Sequence, residues 1–460
     1  MSIEAAFIVP HPPLIIPAVG HGREAKIQQT IDAYDEVARR IAAIEPELVI
    51  VTSPHAPAYR DWFHVSPGTH ASGDLSQFRA YDTTLAVDYD TEFVSALCAE
   101  AERQGFPAGT AGERDAALDH ATYIPLWFID KFYTDYRAVR IGLSGFDSIK
   151  HYQFGQLINE CVEKLGRKAV FVASGDLSHT LAEDGPYGYT PEGPVYDEQI
   201  TAAMATGDFM RFLTFEDSFL DKIGDCGTRS FQIMAGALDR KAVRSELLSY
   251  EGPFGVGYAV ASYLPTGVDR SRNFGELLQQ QRRQEVDGQR THEDAYVALA
   301  RRTIETYVRR EEPELPEGLP DEMLTKRAGT FVSIHENGKL RGCIGTIGAA
   351  YGNIAEEILH NAISACSKDP RFDPIQPDEL PYLNISVDVL SPAERIESPD
   401  ELDVKRYGVI VTNGYRRGLL LPNLDGVDTV EQQISIAKRK AGIAAYESCE
   451  LQRFEVVRHE

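Results

Sequence analysis

The sequence predicts an α/β N-terminal domain, a central sheet with helices on both faces, followed by a smaller α+β C-terminal domain. In the first part of the chain, short apolar runs rich in β-branched residues alternate with amphipathic stretches, as in sheets of parallel strands joined by helices. In the last part, strand and helix signals are segregated, which favours an α+β arrangement. A polar segment rich in Gln and Arg separates the two parts and predicts a linker.

Apolar runs predict five strands in the first domain, which we place at residues 1–266. They are AAFIV (5–9), ELVIVTS (47–53), AVRIGLS (138–144), KAVFVAS (168–174) and GVGYAVASYLP (255–265). The last of these is expected to close the sheet, at an edge. Amphipathic spacing predicts helices between the strands, at 26–44, 91–104, 121–132 and 150–165.

The predicted linker covers residues 267–291, in part helical, and the second domain covers residues 292–460. In that domain Asn337-Gly338, between β-rich flanks, predicts a tight hairpin within 329–346. Further strands are expected at 382–390, 408–413 and 416–422, and helices at 293–310, 352–367 and 430–441.

Composition excludes several classes of partner. The chain has 460 residues with 46 Lys and Arg against 70 Asp and Glu, a formal charge of −24. Without a basic patch, neither nucleic acid nor an anionic membrane is an expected partner. The six cysteines are scattered without a C-x-x-C pair, which argues against a disulfide framework and favours a reducing cytoplasm. The oligomeric state stays open, with a homo-oligomer as one option.

Several histidines follow predicted strands. His11, His55 and His179 each come shortly after a strand ends, and His120 lies at the start of a predicted helix. Because ligands of open α/β sheets bind beyond the carboxyl ends of the strands, these side chains are expected to converge on one crevice. The sequence therefore predicts a metal or acid/base site there. The other histidines of this part, which lack such placement, are predicted to be surface or loop residues: His21, His64, His70 and His151.

A third ligand is expected from a later loop. Two neutral imidazoles and one anion suit a borderline divalent ion such as Fe(II) or Zn(II). In the segment DKIGDCGTRSF, Asp225 would complete a two-His, one-carboxylate face, whereas Cys226 would make a softer thiolate site. Instead of binding a metal, Asp225 would alternatively cap the helix that begins near Thr228. The sequence leaves the choice open.

The motifs VPHPP, TSPHA, LDHATYIPL and SGDLSH, in this order, resemble those of the class III extradiol dioxygenase superfamily, the LigB-like fold that includes the Memo proteins. The resemblance implies a non-haem Fe(II) site with His11 and His55 as ligands and an acidic third ligand. It further implies that His179 acts as acid and base, with Asp176 of the same motif as a further catalytic candidate and His120 near the substrate. The expected activity is cleavage or oxidation of an aromatic diol-type small molecule.

The third ligand departs from the dioxygenase pattern. The resemblance to dioxygenases of this class implies a His-His-Glu site, whereas Memo-like members have a Cys before Gly at the corresponding loop. This chain has Asp225-Cys226-Gly227 there, and no Glu. The alternative function is therefore a Memo-like metal-binding protein that does not cleave rings. The resemblance implies that such a protein works with a radical-SAM partner.

The motifs LRGCIGT, DPRFDPI, LNISVDVLSP and RRGLLLP resemble the AMMECR domain, over about residues 293–458. Fusion of this domain to a Memo-like one resembles the grouping called AmmeMemoRadiSam. Cys343, beside Arg341, is a candidate nucleophile, with a small buried core residue as the alternative. Arg341, Arg371 and Arg416 are candidates for an anion-binding pocket, or lie on a solvated face. As an alternative to a catalytic role, the whole C-terminal domain would be purely an interaction module.

Overall fold

The computed structural model describes residues 2–112, 117–424 and 426–460. The chain forms two compact units, one ending at Leu278 and the other starting at Gln279. This boundary lies inside a helix, Phe274–Arg290, so the segment expected to be a linker is largely helical. No helix in the described part of the chain is long and apolar enough to cross a membrane.

The first unit contains ten strands and nine α-helices among its described residues, and a tenth α-helix crosses the boundary to the second unit. The strands are β1 (Ile3–Val9), β2 (Leu48–Ser53), β3 (Phe63–His64), β4 (His70–Leu75), β5 (Ala80–Asp88), β6 (Ala108–Gly109), β7 (Arg137–Gly142), β8 (Ala169–Ser174), β9 (Lys241–Glu251) and β10 (Tyr258–Val268). The helices are α1 (Pro17–Gly20), α2 (Gln28–Ile44), α3 (Thr91–Gln104), α4 (His120–Asp130), α5 (Ser148–Leu165), α6 (Glu192–Thr206), α7 (Phe209–Leu213), α8 (Asp217–Ile223), α9 (Thr228–Ala237) and α10 (Phe274–Arg290).

Six of these strands form the central sheet, in the order β7-β2-β8-β1-β10-β9. The first four run parallel, and β10 pairs antiparallel with both β1 and β9. The α/β prediction is confirmed. The expected edge position of the strand at 255–265 is wrong, because β9 covers the outer side of β10. Strand β9 was not predicted, since its residues are half-exposed and lack a continuous apolar run.

Both faces of the sheet are buried. Along β1, Phe7 points into one hydrophobic cluster, with residues of α2 and α4, and Ile8 points into the other, with residues of α3, α5 and α9. Both side chains are fully buried, which contributes about 1.5–3 kcal/mol for each relative to exposure. Side chains that alternate between two apolar layers explain why the strands are nearly uniform apolar runs.

Helices α5 and α9 touch backbone to backbone. A Cβ atom on Gly236 of α9 would lie 1.8 Å from the carbonyl oxygen of Tyr152 in α5, so only glycine fits there. This contact fixes α9, and with it the loop that precedes its first residue, Thr228, against α5.

Two of the histidines expected at the surface are buried. His64 and His151 are both fully inaccessible, whereas His21 and His70 are exposed as predicted. His151 lies in α5, where its Nδ1 bonds to the carbonyl oxygen of Asp147 at 2.9 Å and its ring packs edge-on against Phe63. His151 is therefore a core residue whose ring nitrogen has a hydrogen-bond partner. The expectation failed because one polar residue on an otherwise apolar helix face gives no sign of its burial.

The second unit contains two small four-stranded sheets with helices. Its strands are β11 (Thr330–Glu336), β12 (Lys339–Gly345), β13 (Leu383–Leu390), β14 (Glu394–Ile396), β15 (Gly408–Asn413), β16 (Arg416–Leu420), β17 (Glu450–Phe454) and β18 (Val456–His459). Its helices are α11 (Ala295–Val308), α12 (Asp321–Thr325), α13 (Ile354–Ser367) and α14 (Val430–Lys440). The sheet orders are β12-β11-β13-β18 and β14-β17-β15-β16.

The α+β prediction for this unit is confirmed, including its hairpin. Asn337 and Gly338 join β11 to β12 with φ of 51° and 77°, the left-handed pair of a type I′ turn. Helices α11 and α13 pack on the first sheet, and α14 packs on the second. The short strands β14, β17 and β18 were not predicted, because their half-exposed residues give weak apolar signals.

Candidate metal centre

Three neighbouring parallel strands carry the predicted histidines to one edge of the central sheet. His11 follows β1, His55 follows β2 and His179 follows β8, and these strands are adjacent in the order β2-β8-β1. His120 is the first residue of α4. The imidazole centroids of His11, His55 and His120 lie 4.3–5.4 Å apart. The side chains therefore converge as the topology predicted.

His11, His55 and Cys226 form a group with the donor atoms of a metal site. One ligand atom from each lies within 4.8 Å of the others. Sγ of Cys226 is 3.6 Å from Nε2 of His11. Bonds of about 2.05 Å to nitrogen and 2.3 Å to sulfur at a tetrahedral angle would separate these two donors by about 3.6 Å. The donor set and its spacing fit a single divalent ion.

Buried hydrogen bonds orient His11. Its Nδ1 pairs with Oγ of Ser174 at 3.0 Å, which leaves Nε2 to face Cys226. Its backbone N–H donates to Oδ1 of Asp176 at 2.7 Å. Partners of this kind fix the orientation of an imidazole ligand. Pro10 and Pro12 on either side further restrict the backbone.

Asp225 and Cys226 point in different directions. Oδ1 of Asp225 accepts a 2.7 Å hydrogen bond from the hydroxyl of Tyr196, and its carboxylate also accepts from the backbone N–H of Thr228 at the start of α9. The helix-cap alternative therefore describes the contacts of Asp225. The sulfur of Cys226 faces His11 instead, so the geometry favours the thiolate over the carboxylate as third ligand.

The residue after Cys226 has to be glycine. A Cβ atom on Gly227 would lie 2.7 Å from the carbonyl oxygen of Asp176. The loop can therefore lie directly against the segment that follows β8. The same approach brings Sγ of Cys226 to 3.8 Å from Nε2 of His179.

A hydrogen-bonded chain supports the His55 and His120 side of the site. Oγ of Ser53 accepts from the backbone N–H of His55 at 3.1 Å and donates to Oδ1 of Asp119 at 2.6 Å. Asp119 is also the N-cap of α4, the helix that begins with His120. One carboxylate thus links the position of both imidazoles.

Burial and mutual repulsion favour the neutral form of the imidazoles. Burial, followed by repulsion from His55, lowers the pKa of His120 to about 4 and of His179 to about 4. Burial and the neighbouring histidines lower the pKa of His11 well below its usual value. Neutral imidazoles are the form that binds metals and accepts protons at neutral pH.

The same surroundings raise the pKa values of the acidic groups. Burial, and then the charges of Asp176 and Asp225, raise the pKa of Cys226 well above its usual value. Burial is the main cause that raises the pKa of Asp176 to about 7. A metal ion that binds here has to displace the thiol proton.

Aromatic rings border the two remaining histidines. Tyr187, largely exposed, lies over His179 at a centroid distance of 4.9 Å, and Phe78 meets His120 edge-on at 5.3 Å. His120 and His179 lie beside the metal-binding group, and both are partly exposed.

Ser53, Asp119 and Ser174 are site residues that the motif analysis missed. Ser53 and Ser174 are the last residues of β2 and β8, and Asp119 precedes His120. Their positions at strand and helix ends are the signal that could have identified them, since small polar residues there are free to orient ligands.

Cys343 belongs to the second unit. It lies on β12 with its side chain partly exposed, and Oγ of Ser333 contacts its sulfur at 3.3 Å. The three candidate arginines do not form one pocket: Arg341 pairs with Glu379, Arg371 with Asp369 and Arg416 with Glu447. The expected neighbour of the thiol, Arg341, is thus engaged elsewhere.

Comparison with known proteins matches both units. Residues 5–261 match the model of the catalytic LigB subunit of aromatic ring-opening dioxygenase, and residues 297–459 match the AMMECR1 model. The Clostridium acetobutylicum protein CA_C1420 is 38% identical over 468 residues, covering 100% of this chain and 99% of that protein. A Thermotoga maritima protein is 51% identical over 170 residues, covering 36% of this chain and 98% of its own.

Among solved structures, the uncharacterised protein PH0010 from Pyrococcus horikoshii shares 33% identity over 35% of this chain and 88% of its own, with a TM-score of 0.34.

The LigB model spans more than half of the chain, and the sequence identity to CA_C1420 extends from end to end. The chain is therefore a member of the LigB family of the class III extradiol dioxygenase superfamily, fused to a C-terminal AMMECR1 domain.

Proposed function

We propose that the N-terminal domain is a metal-dependent oxidoreductase that binds one Fe(II) ion through His11, His55 and Cys226 and acts on a small hydroxylated aromatic substrate. The observation that carries the proposal is the convergence of these three donors, within 4.8 Å of one another, beside two further neutral imidazoles. LigB-family membership supports the reaction class.

The metal would supply Lewis acidity toward a phenolic hydroxyl and a binding site for O₂. The protein's own residues have separate tasks. Nε2 of His179, near Cys226, accepts a proton from the substrate hydroxyl at neutral pH and returns it later. His120, beside His55, bonds to the second hydroxyl.

Ser174 and Asp176 keep His11 in place during this exchange, since one holds its ring and the other holds its backbone. Tyr187 and Phe78 offer faces and edges to a planar substrate. Hydrogen bonds and ring contacts together would orient the substrate with its hydroxyls toward the two histidines.

Anaerobic reconstitution tests this proposal. The full chain is loaded with Fe(II), metal content is measured, and a panel of catechol-type substrates is added under O₂. The proposal expects about one iron per chain and substrate-dependent oxygen uptake with ring-opened product. Stoichiometric iron with no oxygen uptake on any substrate would overturn the oxidoreductase assignment and leave the metal site standing.

A second function is favoured by one specific observation, the replacement of a carboxylate ligand by the Cys226 thiol. A Memo-like centre would bind its metal, Zn(II) or another divalent ion included, without cleaving rings, and would serve a radical-SAM partner in modifying a molecule. Co-purification of a radical-SAM protein, together with the absence of any reaction of the metal-loaded protein with catechols, would support this alternative.

A further inference from the structure

The first sheet of the C-terminal unit carries a second cluster of reactive side chains. On one half-exposed face, Cys343 of β12 lies in register with Ser333 of β11, which in turn lies in register with Ser386 of β13. His335 is two residues along β11 on the same face. The thiol thus sits in a polar, partly open setting and not in the core, which argues against the small-core-residue alternative.

One guanidinium group contacts Cys343, and a second lies within Coulombic range of its sulfur. Arg371 donates from Nη2 to the carbonyl oxygen of Cys343 at 3.3 Å and also interacts with its sulfur. Arg458, on β18, is close enough for a Coulombic interaction with the same sulfur. Neither residue is the sequence neighbour, Arg341, that was expected to play this part.

Buried carboxylates hold both guanidiniums in place. Asp369 pairs with Arg371 and Asp388 with Arg458; the acidic side chains are 2% exposed, whereas the arginine side chains are 53% and 42% exposed. Asp369 also accepts from the backbone N–H of Cys343 at 2.9 Å, which links the thiol to this arrangement.

The two ion pairs use Nε and Nη2 of each arginine. Among the described residues, Nη1 of Arg371 and of Arg458 donates to no partner. Oriented donors with spare N–H groups beside a nucleophile are the elements of an anion-binding reactive site.

We propose that Cys343 is the nucleophile of a second site, which takes small carbonyl compounds that carry a carboxylate or phosphate group. Arg371 and Arg458 bind the anionic group. The sulfur adds to the carbonyl carbon, forming a C–S bond as the π pair of C=O moves to oxygen. That oxygen takes the thiol proton, so the product is a neutral-sulfur hemithioacetal and no oxidant or leaving group is needed.

The first test uses two probes of equal size and different charge on the full chain. Iodoacetate and iodoacetamide both alkylate thiols with loss of iodide, and peptide mass spectrometry gives the rate at each cysteine. At Cys343 the iodoacetate-to-iodoacetamide rate ratio is expected to exceed that at Cys449, which is also partly exposed, by about three- to fivefold, the size of a part-exposed charge interaction.

Arg371→Gln and Arg458→Gln should each lower that ratio toward the Cys449 value. Arg406→Gln is the matched control, since this arginine is exposed and paired with Glu455 away from Cys343. A ratio at Cys343 equal to that at Cys449 in the unaltered protein, or one that the Arg371 and Arg458 changes leave untouched, overturns the proposal.

The second test needs no variant, so it holds even if loss of an arginine unfolds the domain. Glyoxylate, which has both an aldehyde and a carboxylate, should slow iodoacetamide labelling of Cys343. Acetaldehyde and acetate, each with one of these groups, should slow it much less at equal concentration. Equal protection by glyoxylate and acetaldehyde would show that no anion is recognised, and would overturn the proposal.

Discussion

Sγ of Cys226 lies 3.6 Å from Nε2 of His11, although 215 residues separate them in sequence. This spacing is the separation of two donors around one tetrahedral ion. The adjacent Asp225, by contrast, is committed to Tyr196 and to the first turn of α9. The contrast between neighbours gives the most direct predictions about the metal centre.

Cys226→Ala should lower metal affinity by more than about 100-fold, since it removes a ligand and not merely its support. Asp225→Asn should bind metal with nearly unchanged stoichiometry, at a cost in stability of about 1 kcal/mol for a weakened cap. Metal content after dialysis, by mass spectrometry, measures both. Loss of metal only in the Asp225 variant would assign the third ligand to the carboxylate.

His179→Gln and His120→Gln should retain the metal and lose turnover. Proton transfer by a positioned imidazole contributes about 100- to 10,000-fold, so kcat should fall by that order for His179→Gln. His55→Ala provides the contrast, because it should lose metal as well as activity. A His179→Gln variant with full turnover would remove that residue from the mechanism.

Ser174→Ala should weaken metal binding about 10- to 100-fold, because it frees the His11 ring to rotate. The matched control is Ser262→Ala. Ser262 is also a buried strand serine, but its hydroxyl has no partner among the described residues. Competition titration with a chelator measures both variants, and equal affinities would show that Ser174 does not position His11.

His151 should make the N-terminal unit sensitive to acid. Burial lowers its pKa to about 3, so between pH 6.5 and pH 3 the unfolded chain binds a proton that the folded chain does not. Stability is therefore lost as pH falls, by about 2 kcal/mol at pH 5 relative to neutral pH. His151→Gln should flatten this part of the pH profile.

Both tryptophans, Trp62 and Trp127, belong to the N-terminal unit, so their fluorescence during urea unfolding reports on it. The control is His21→Asn, at an exposed position whose φ of 49° asparagine tolerates. If the pH dependence of His151→Gln matched that of the unaltered protein, other buried groups would be responsible.

The sequence was sufficient for the parts of the fold with strong periodic signals. Runs such as KAVFVAS are buried on both faces, and the Asn337-Gly338 turn dictates its own hairpin. Strand β9 was not predictable in this way, because it is a half-exposed edge. Apolar periodicity reports burial, so weakly buried strands leave little trace in it.

For the site, topology alone was sufficient to bring His11, His55 and His179 together. The choice between Asp225 and Cys226 was not available from the sequence, since these adjacent side chains have different partners and the loop conformation decides which faces the histidines. That conformation depends on Tyr196 and on the close contact at Gly227, which involve residues distant in sequence.

X-ray absorption at the metal edge tests the central claim most directly. The full chain is loaded with one equivalent of Zn(II), and the scattering shells are fitted for the unaltered protein and for Cys226→Asp. We predict one sulfur shell at about 2.3 Å beside nitrogen at about 2.0–2.1 Å, and loss of the sulfur shell in the variant. A metal site with nitrogen and oxygen shells alone in the unaltered protein would contradict the account.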